Sequence, residues 1–310
     1  VENNRVIIAG VDFTPSSRTA LLQALRLGRI TASPVRAVHV ADFSWFDDLS
    51  TFGHFNGSRT QYEIAQRARR LSEECDAIST PLPQFEHDVI AGHASHVLIR
   101  QVVEHNAKLL VLGVRSPISS VSGPGPIAKS CVRHSPCDVM LTREDHPGAF
   151  RRIVACTDFS DTSRRVIREA AKIAERDSAS LRIVHIAAAP RLEYAAAGNP
   201  LGIWPSDPLN AMQSWNSYRS ELPGRLSRFI EPVLNGNLKS IDMIAEVEDH
   251  DHHARGISAY ARRNGADLLV IGSKGRSNLR EFFLGTTAER VLSDLPSSVL
   301  VIKPSEAGGH

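Results

Sequence analysis

The chain has 310 residues, 42% apolar and 23% charged, with a formal net charge of +2. That length suits two domains of ordinary size, and the composition is that of a folded globular chain, neither disordered nor fibrous. Charge so near balance makes no case for nucleic acid or an acidic membrane surface as partner, and no apolar run approaches the roughly 20 residues needed to span a bilayer. No charged-then-apolar leader opens the chain, and Cys75, Cys131, Cys137 and Cys156 are too few and too irregular for a disulfide framework or a zinc knuckle. The expectation is a cytosolic protein whose reduced thiols serve packing.

In chain order, the same elements occur twice. Arg5–Gly28 ("RVIIAGVDFTPSSRTALLQALRLG") parallels Arg152–Ala174 ("RIVACTDFSDTSRRVIREAAKIA"): an apolar run, Asp-Phe-Ser/Thr, then a helical pattern. Val35–Val40 parallels Leu181–Ile186, Lys108–Gly113 parallels Asp267–Gly272, and Ser135–Thr142 parallels Leu295–Ile302. A tandem duplication follows, with its joint in the charged, Pro- and Gly-containing stretch Arg143–Phe150, and with domains expected at 1–147 and 148–310. In the second half, strands are predicted at Ile153–Thr157, Leu181–Ile186, Ile241–Val247, Leu268–Ile271 and Val299–Ile302. Val166, Ala170, Ile173 and Ala174 make one apolar helix face between the first two. Runs this uniformly apolar read as strands buried on both faces. The predicted fold is therefore α/β: two tandem open parallel five-stranded sheets with helices on both faces.

The second link of each half is long and aromatic. Ala41–Arg59 carries Trp45, Phe46 and Phe52, and Ala187–Ser217 carries Trp204 and Trp215. Links of that length are lids, interfaces or surface flaps.

In an open parallel sheet, ligands bind beyond the carboxyl ends of the strands where the strand order reverses. Asp158, Ile186 and Gly272 converge there in the second half. Gly272, Gly275 and Gly285 let bare backbone approach an anion. A helix over Thr286–Asp294 would aim free N–H groups at a phosphate, with the hydroxyls of Thr286 and Thr287 and the charge of Lys274 to add. Two plainer readings stand beside this one. Gly272 can be a turn glycine, and Thr286-Thr-Ala-Glu289 fits a capping box that needs no ligand. Asp158 can likewise serve the start of the following helix, a role open also to Ser160 and Asp161. Neither a Walker loop nor a dinucleotide fingerprint is present.

These residues resemble the universal stress protein family. Its ATP-binding members carry a strand-end Asp and a Gly-x2-Gly-x9-Gly-Ser/Thr run; Gly272-x2-Gly275-x9-Gly285-Thr286 matches that spacing, and "CTDFS" at Cys156–Ser160 resembles the family's opening. The resemblance covers both halves. It implies a Rossmann-like tandem arranged as a pseudo-dimer, with Val139–Thr142 meeting Val299–Ile302 and further homodimerisation open. It also implies ATP, with Mg²⁺ as an accompanying ion, in the second half. Asp158 would take the adenine end, with the backbone at Thr157 and Ile186 flanking the base, Ile271 and Gly272 would lie near the ribose, and Gly275, Gly285, Thr286 and Thr287 would hold the phosphates. The first half keeps Asp12 and Gly113. However, it has Ser116 for the second glycine and Pro126 for the hydroxyl residue, which removes a donor, so weak or no nucleotide binding is expected there.

A second constellation is Glu248–Gly256, "EDHDHHARG", where His250, His252 and His253 with Asp249 and Asp251 offer zinc-type ligands, and His93 and His96 occupy the nearby stretch of the first half. Solvated loops often look like this too. No nucleophile and base pair suggests fast chemistry. The function expected is an ATP-binding stress-response sensor or interaction module. A relative that instead binds a lipid-like ligand, zinc or a protein is the alternative, and a slow ATPase is another. An adenine-nucleotide α-hydrolase would need a Ser-Gly-Gly loop that neither "VDFTPSS" nor "TDFSDTS" supplies.

Overall fold

The computed structural model describes residues 5–42, 57–78, 84–114, 123–188, 208–234, 241–275 and 284–304, the side chains of 57–60 and 208–211 excepted. Trp45, Phe46, Phe52, Ser116 and Trp204 lie outside these residues. The chain forms two compact units. The first holds Val1–Ala149 and, from far along the chain, Ser297–Lys303; the second holds Phe150–Leu279 and Gly285–Pro296.

The first unit runs β1 (Ile7–Val11), α1 (Pro15–Thr31), β2 (Val35–Ala41), α2 (Gly57–Ala77), β3 (Phe85–Ala91), α3 (Ala94–Glu104), β4 (Leu109–Val114), α4 (Pro126–His134) and β5 (Asp138–Arg143). The second runs β6 (Arg152–Cys156), α5 (Asp161–Asp177), β7 (Ser180–Ala188), α6 (Pro208–Leu234), β8 (Met243–His250), α7 (His253–Arg263), β9 (Leu268–Gly272) and α8 (Thr286–Asp294). The last strand, β10 (Ser298–Ile302), follows.

The strands run parallel in the order β3-β2-β1-β4-β5 in the first unit and β8-β7-β6-β9 in the second. The duplication extends to the register. Ile7 stands opposite Val35 and Leu109, and its counterpart Ile153 stands opposite Leu181 and Leu268. Strand order reverses between β1 and β4, and again between β6 and β9. The inner strands are buried along most of their length; Ile8, Ala9, Leu110, Val111, Leu269 and Val270 are fully enclosed. Burying a Leu, Ile or Val side chain stabilises by roughly 1.5–3 kcal/mol, which is why these runs carry no polar alternation. The edge strands β3 and β8, open on one side, are only partly buried and expose residues such as Met243 and Ile244.

β10 belongs to the first unit by its contacts. It runs antiparallel to β5, with Val299 opposite Leu141 and Val301 opposite Val139. Ser298 Oγ accepts from the Arg143 N–H at 3.0 Å, and the Lys303 N–H donates to Asp138 Oδ1 at 2.8 Å. Val139–Thr142 thus meets Val299–Ile302, the pairing implied by the resemblance.

Asp267, 4% exposed, fixes the start of β6: its carboxylate accepts from the N–H groups of Arg151 (2.8 Å) and Arg152 (3.0 Å). All four cysteines are free. Burial pushes the thiols of Cys75, Cys131 and Cys137 up to about 11, 12 and 11, so they stay protonated at neutral pH. No helix among the described residues is long and apolar enough to cross a membrane.

Candidate functional site

At the strand-order reversal of the second unit lies a cavity of about 480 Å³, within the range of small-molecule sites. All ten residues singled out from the sequence line it: Thr157, Asp158, Ile186, Ile271, Gly272, Lys274, Gly275, Gly285, Thr286 and Thr287.

The turn after β6 is built from its own polar groups. Phe159 takes φ +65°, a left-handed conformation that a bulky residue adopts only when its surroundings hold it. Asp158 Oδ1 accepts from the Ser160 N–H (3.0 Å) and from Ser163 Oγ (2.6 Å), and Ser163 Oγ accepts from the Asp158 N–H. Ser160 is the N-cap of α5. The Phe159 ring lies 4.4 Å from that of His185, whose Nδ1–H donates to the Thr157 carbonyl at 2.7 Å.

Asp158 therefore has two faces. Oδ1 shapes the turn, whereas Oδ2 looks across the cavity mouth at Gly275. A Cβ on Gly275 would stand 2.8 Å from that oxygen, so a side chain there would push the free carboxylate oxygen aside and take up the space between them. Gly272 is less confined; a Cβ would meet the Thr162 methyl at 3.0 Å.

Thr157 differs in kind from the expectation of a backbone contact to the base. Its N–H donates to Val184, its carbonyl accepts from His185, and its Oγ1 accepts from the Phe159 N–H. With its N–H taken up by the sheet, it offers the cavity no backbone donor. Ile186 is the reverse case. β6 ends at Cys156, level with Val184, while β7 continues to Ala188. Beyond Val184 the β6-side edge of β7 has no strand to pair with, which leaves the backbone at Ile186 facing the cavity.

The glycine loop closes where the Gly285 N–H donates to the Ser273 carbonyl at 2.8 Å. Gly285 is itself the N-cap of α8 and has no side chain with which to cap it; among the described residues no side-chain cap is formed. The capping box read from Thr286 and Glu289 is not formed, because Thr286 is already the first helical residue. The opening N–H groups of α8, at Thr286, Thr287 and Ala288, have no intrahelical acceptor, and all three residues line the cavity.

Ser273, passed over in the sequence, lines the same wall. It is 2% exposed, and its hydroxyl makes no hydrogen bond among the described residues. Cys156, His185, Trp215 and Tyr218 also line the cavity without having been read as site residues. The repeat held a hint of His185, since "VHV" and "VHI" recur in register.

The three histidines diverge. His250 ends β8 and pairs with Asp251, His252 accepts from the Arg290 guanidinium, and His253 opens α7 and lines the cavity. Among the described residues, no group of three or more His, Cys, Asp or Glu side chains is arranged to hold a metal ion.

An open, parallel α/β unit with a ligand-sized hollow at its strand-order reversal is of the doubly wound class. A model of the universal stress protein family matches residues 3–143, 149–203 and 238–303, and the chain belongs to that family. Universal stress protein Rv2623 of Mycobacterium tuberculosis is 24% identical over 312 residues, 96% of each chain. The universal stress protein E homolog of Haemophilus influenzae is 27% identical over 265 residues, 79% of this chain and 78% of its own. Among solved structures, a universal stress protein from Archaeoglobus fulgidus superimposes over 98% of this chain and 99% of its own with a TM-score of 0.64 at 16% identity, a likeness of fold.

Proposed function

We propose that the second unit binds ATP and that the protein acts as a nucleotide-responsive sensor or interaction module, not as a fast enzyme. One observation carries this reading. The uncapped start of α8 opens into the same hollow as Asp158, Gly272 and Gly275. Bare N–H groups at a helix start favour an anion, and glycine at 275 leaves room that a Cβ would fill. The phosphates would lie against Gly275, Gly285 and the first turn of α8, with Lys274 and the Ser273 hydroxyl beside them. The adenine edge would meet the backbone at Ile186, and Asp158 Oδ2 would accept from the ribose or the base. Asp158 is the one carboxylate lining the hollow among the described residues, so Mg²⁺ would depend chiefly on the phosphates for its ligands.

Among the described residues no nucleophile and base pair is seen in the lining, and turnover of ATP below about 1 s⁻¹, under the ordinary enzyme range, is expected. The first unit serves in this reading as a structural partner without nucleotide. The test is to purify the chain without added ligand, denature it, and assay the supernatant for adenine nucleotide, alongside titration calorimetry with ATP. Binding of ATP by the native chain and its loss in Gly275→Leu are expected. A native chain that takes up no ATP overturns the reading.

A further inference from the structure

We infer that Trp215 and Tyr218, on α6, form an aromatic wall at the base end of the hollow and stack on the flat face of the ligand's nucleobase. The inference rests on the nucleotide reading and adds to it the residue that discriminates for a planar ring.

Placement argues for the base end. Arg219, one helical turn after Trp215 and therefore on the same side of α6, pairs with Asp249 and donates to the Val247 carbonyl at 3.2 Å. Asp249 stands opposite Ala187 in the sheet, and Val247 stands opposite His185. The arginine thus ties α6 to the carboxyl end of β8, beside the stretch of β7 whose backbone edge is open at Ile186. The glycine loop and the start of α8 leave from the other side of β6, where β9 ends. A ligand with its phosphates at the glycines has only its base at the α6 side.

The chemistry of the wall fits a ring. Trp215 is half-buried, its centroid 5.8 Å from that of Tyr218, and both line the cavity. Tyr218 remains 38% exposed and Met212, one turn before, 52%. Apolar surface left uncovered at the rim of a hollow is stabilised by whatever flat, apolar-faced group enters it. A nucleobase offers such a face together with a polar edge for the Ile186 backbone.

The experiment uses the full chain. With Trp45 and Trp204 replaced by Phe, Trp215 is the sole tryptophan, and saturating ATP is expected to quench its fluorescence. In a second series, Trp215→Phe keeps ATP affinity within about threefold of the parent, while Trp215→Leu loses roughly tenfold or more, since stacking on one aromatic ring is worth about that factor. ATP binding that leaves Trp215 fluorescence unmoved overturns the inference and leaves the nucleotide reading standing, as does equal affinity in the Leu and Phe variants. Should Trp215→Leu fail to fold, the fluorescence of the sole-tryptophan chain decides. A parent chain that binds no ATP overturns both.

Discussion

At the end of its first strand each repeat makes the same turn. Phe13 takes φ +62° and Phe159 φ +65°. Each ring lies 4.4 Å from a histidine, His39 or His185, whose Nδ1 bonds back to the carbonyl at the strand end. An arginine covers each phenylalanine, Arg70 over Phe13 at 4.2 Å and Arg225 over Phe159 at 4.4 Å. Asp12 and Asp158 both accept from the N–H two residues on. Since the first repeat keeps all of this, the strand-end Asp is in the first place part of the scaffold and only in the second a candidate ligand. The difference lies in bulk. In the first repeat, a Cβ on Gly10 would strike Leu112 at 2.6 Å and lie 3.5 Å from Leu98, whereas the second repeat carries Cys156 at this place, where it lines the cavity. Gly113 lies so close to α1 that a Cβ would sit 2.3 Å from the Ser16 carbonyl, whereas its counterpart Gly272 clears the Thr162 methyl by 3.0 Å. α4 begins with Pro126, which has no N–H, where α8 begins with Thr286. A duplicated fold has kept its turn and changed how tightly its glycines are packed behind that turn.

The largest effect should come from matched alanines. Gly113→Ala drives a methyl into backbone that cannot rotate away and is expected to cost about 3 kcal/mol or more, read as a shift in urea midpoint. Gly272→Ala meets the Thr162 methyl at 3.0 Å and the Lys274 carbonyl at 3.2 Å, contacts that shifts of a few tenths of an ångström relieve, and should cost about 1 kcal/mol. Equal losses would erase the contrast between the confined glycine of the first repeat and the looser one of the second. Next comes Gly275→Val, which should lower ATP affinity at least a hundredfold, about 2.7 kcal/mol, with little change in melting temperature because Gly275 is exposed. Unchanged affinity would mean that the cradle is not where the phosphates lie. Asp158→Asn and Asp12→Asn should each lose about 1 kcal/mol of stability through the shared turn. Only Asp158→Asn should also weaken ATP, by about tenfold. Calorimetry that finds the same nucleotide effect for both would restore the first repeat as a binding site.

Much of this was legible beforehand because repetition and spacing are one-dimensional. The strands fall within a few residues of their predicted places, and the ten residues drawn from the glycine run and strand ends line one hollow. What the sequence concealed was how ends are shared out. Thr286 and Glu289 have capping-box spacing, yet the helix starts one residue earlier in effect, on Gly285, and that shift leaves the N–H groups open. The sequence offers the backbone at Thr157 and at Ile186 alike to flank a base, but whether a strand-end N–H is open depends on where the neighbouring strand stops. The histidine run was read as one cluster, but β8 extends through His250 and α7 begins at His253, so a strand end and a helix start pull the ligands apart. The second long link hid a helix from Pro208, because Pro223 and Gly224 interrupt its pattern, and with it the aromatic wall. Side-chain fill in the first repeat was out of reach in principle: Leu112 and Ile271 look equivalent until their rotamers are known.

The smallest expected effect tests whether the shared turn is only scaffold in the first repeat. His39 is 8% exposed, and burial holds its imidazole below the ordinary value of 6.5, opposed by the bond to the Val11 carbonyl and by Asp12, and reinforced by the charges of Arg67 and Arg70. In the unfolded chain the same histidine takes up a proton near 6.5. Between the folded value and 6.5 the unfolded state therefore binds more protons, so stability rises with pH across that window and falls as the medium is acidified through it. The stabilisation is full above 6.5 and should shrink by less than about 1 kcal/mol on going from pH 7.5 to 5.5. His39→Gln keeps a donor for the Val11 carbonyl but has nothing to titrate. Its urea midpoint should be lower than the parent's at pH 7.5 because the contact with Phe13 is weakened, yet it should drop less between the two pH values. A variant that falls with acidification as steeply as the parent would place the proton uptake elsewhere. The turn in the first repeat would then lack the one chemical property that burial alone, without any ligand, should impose on it.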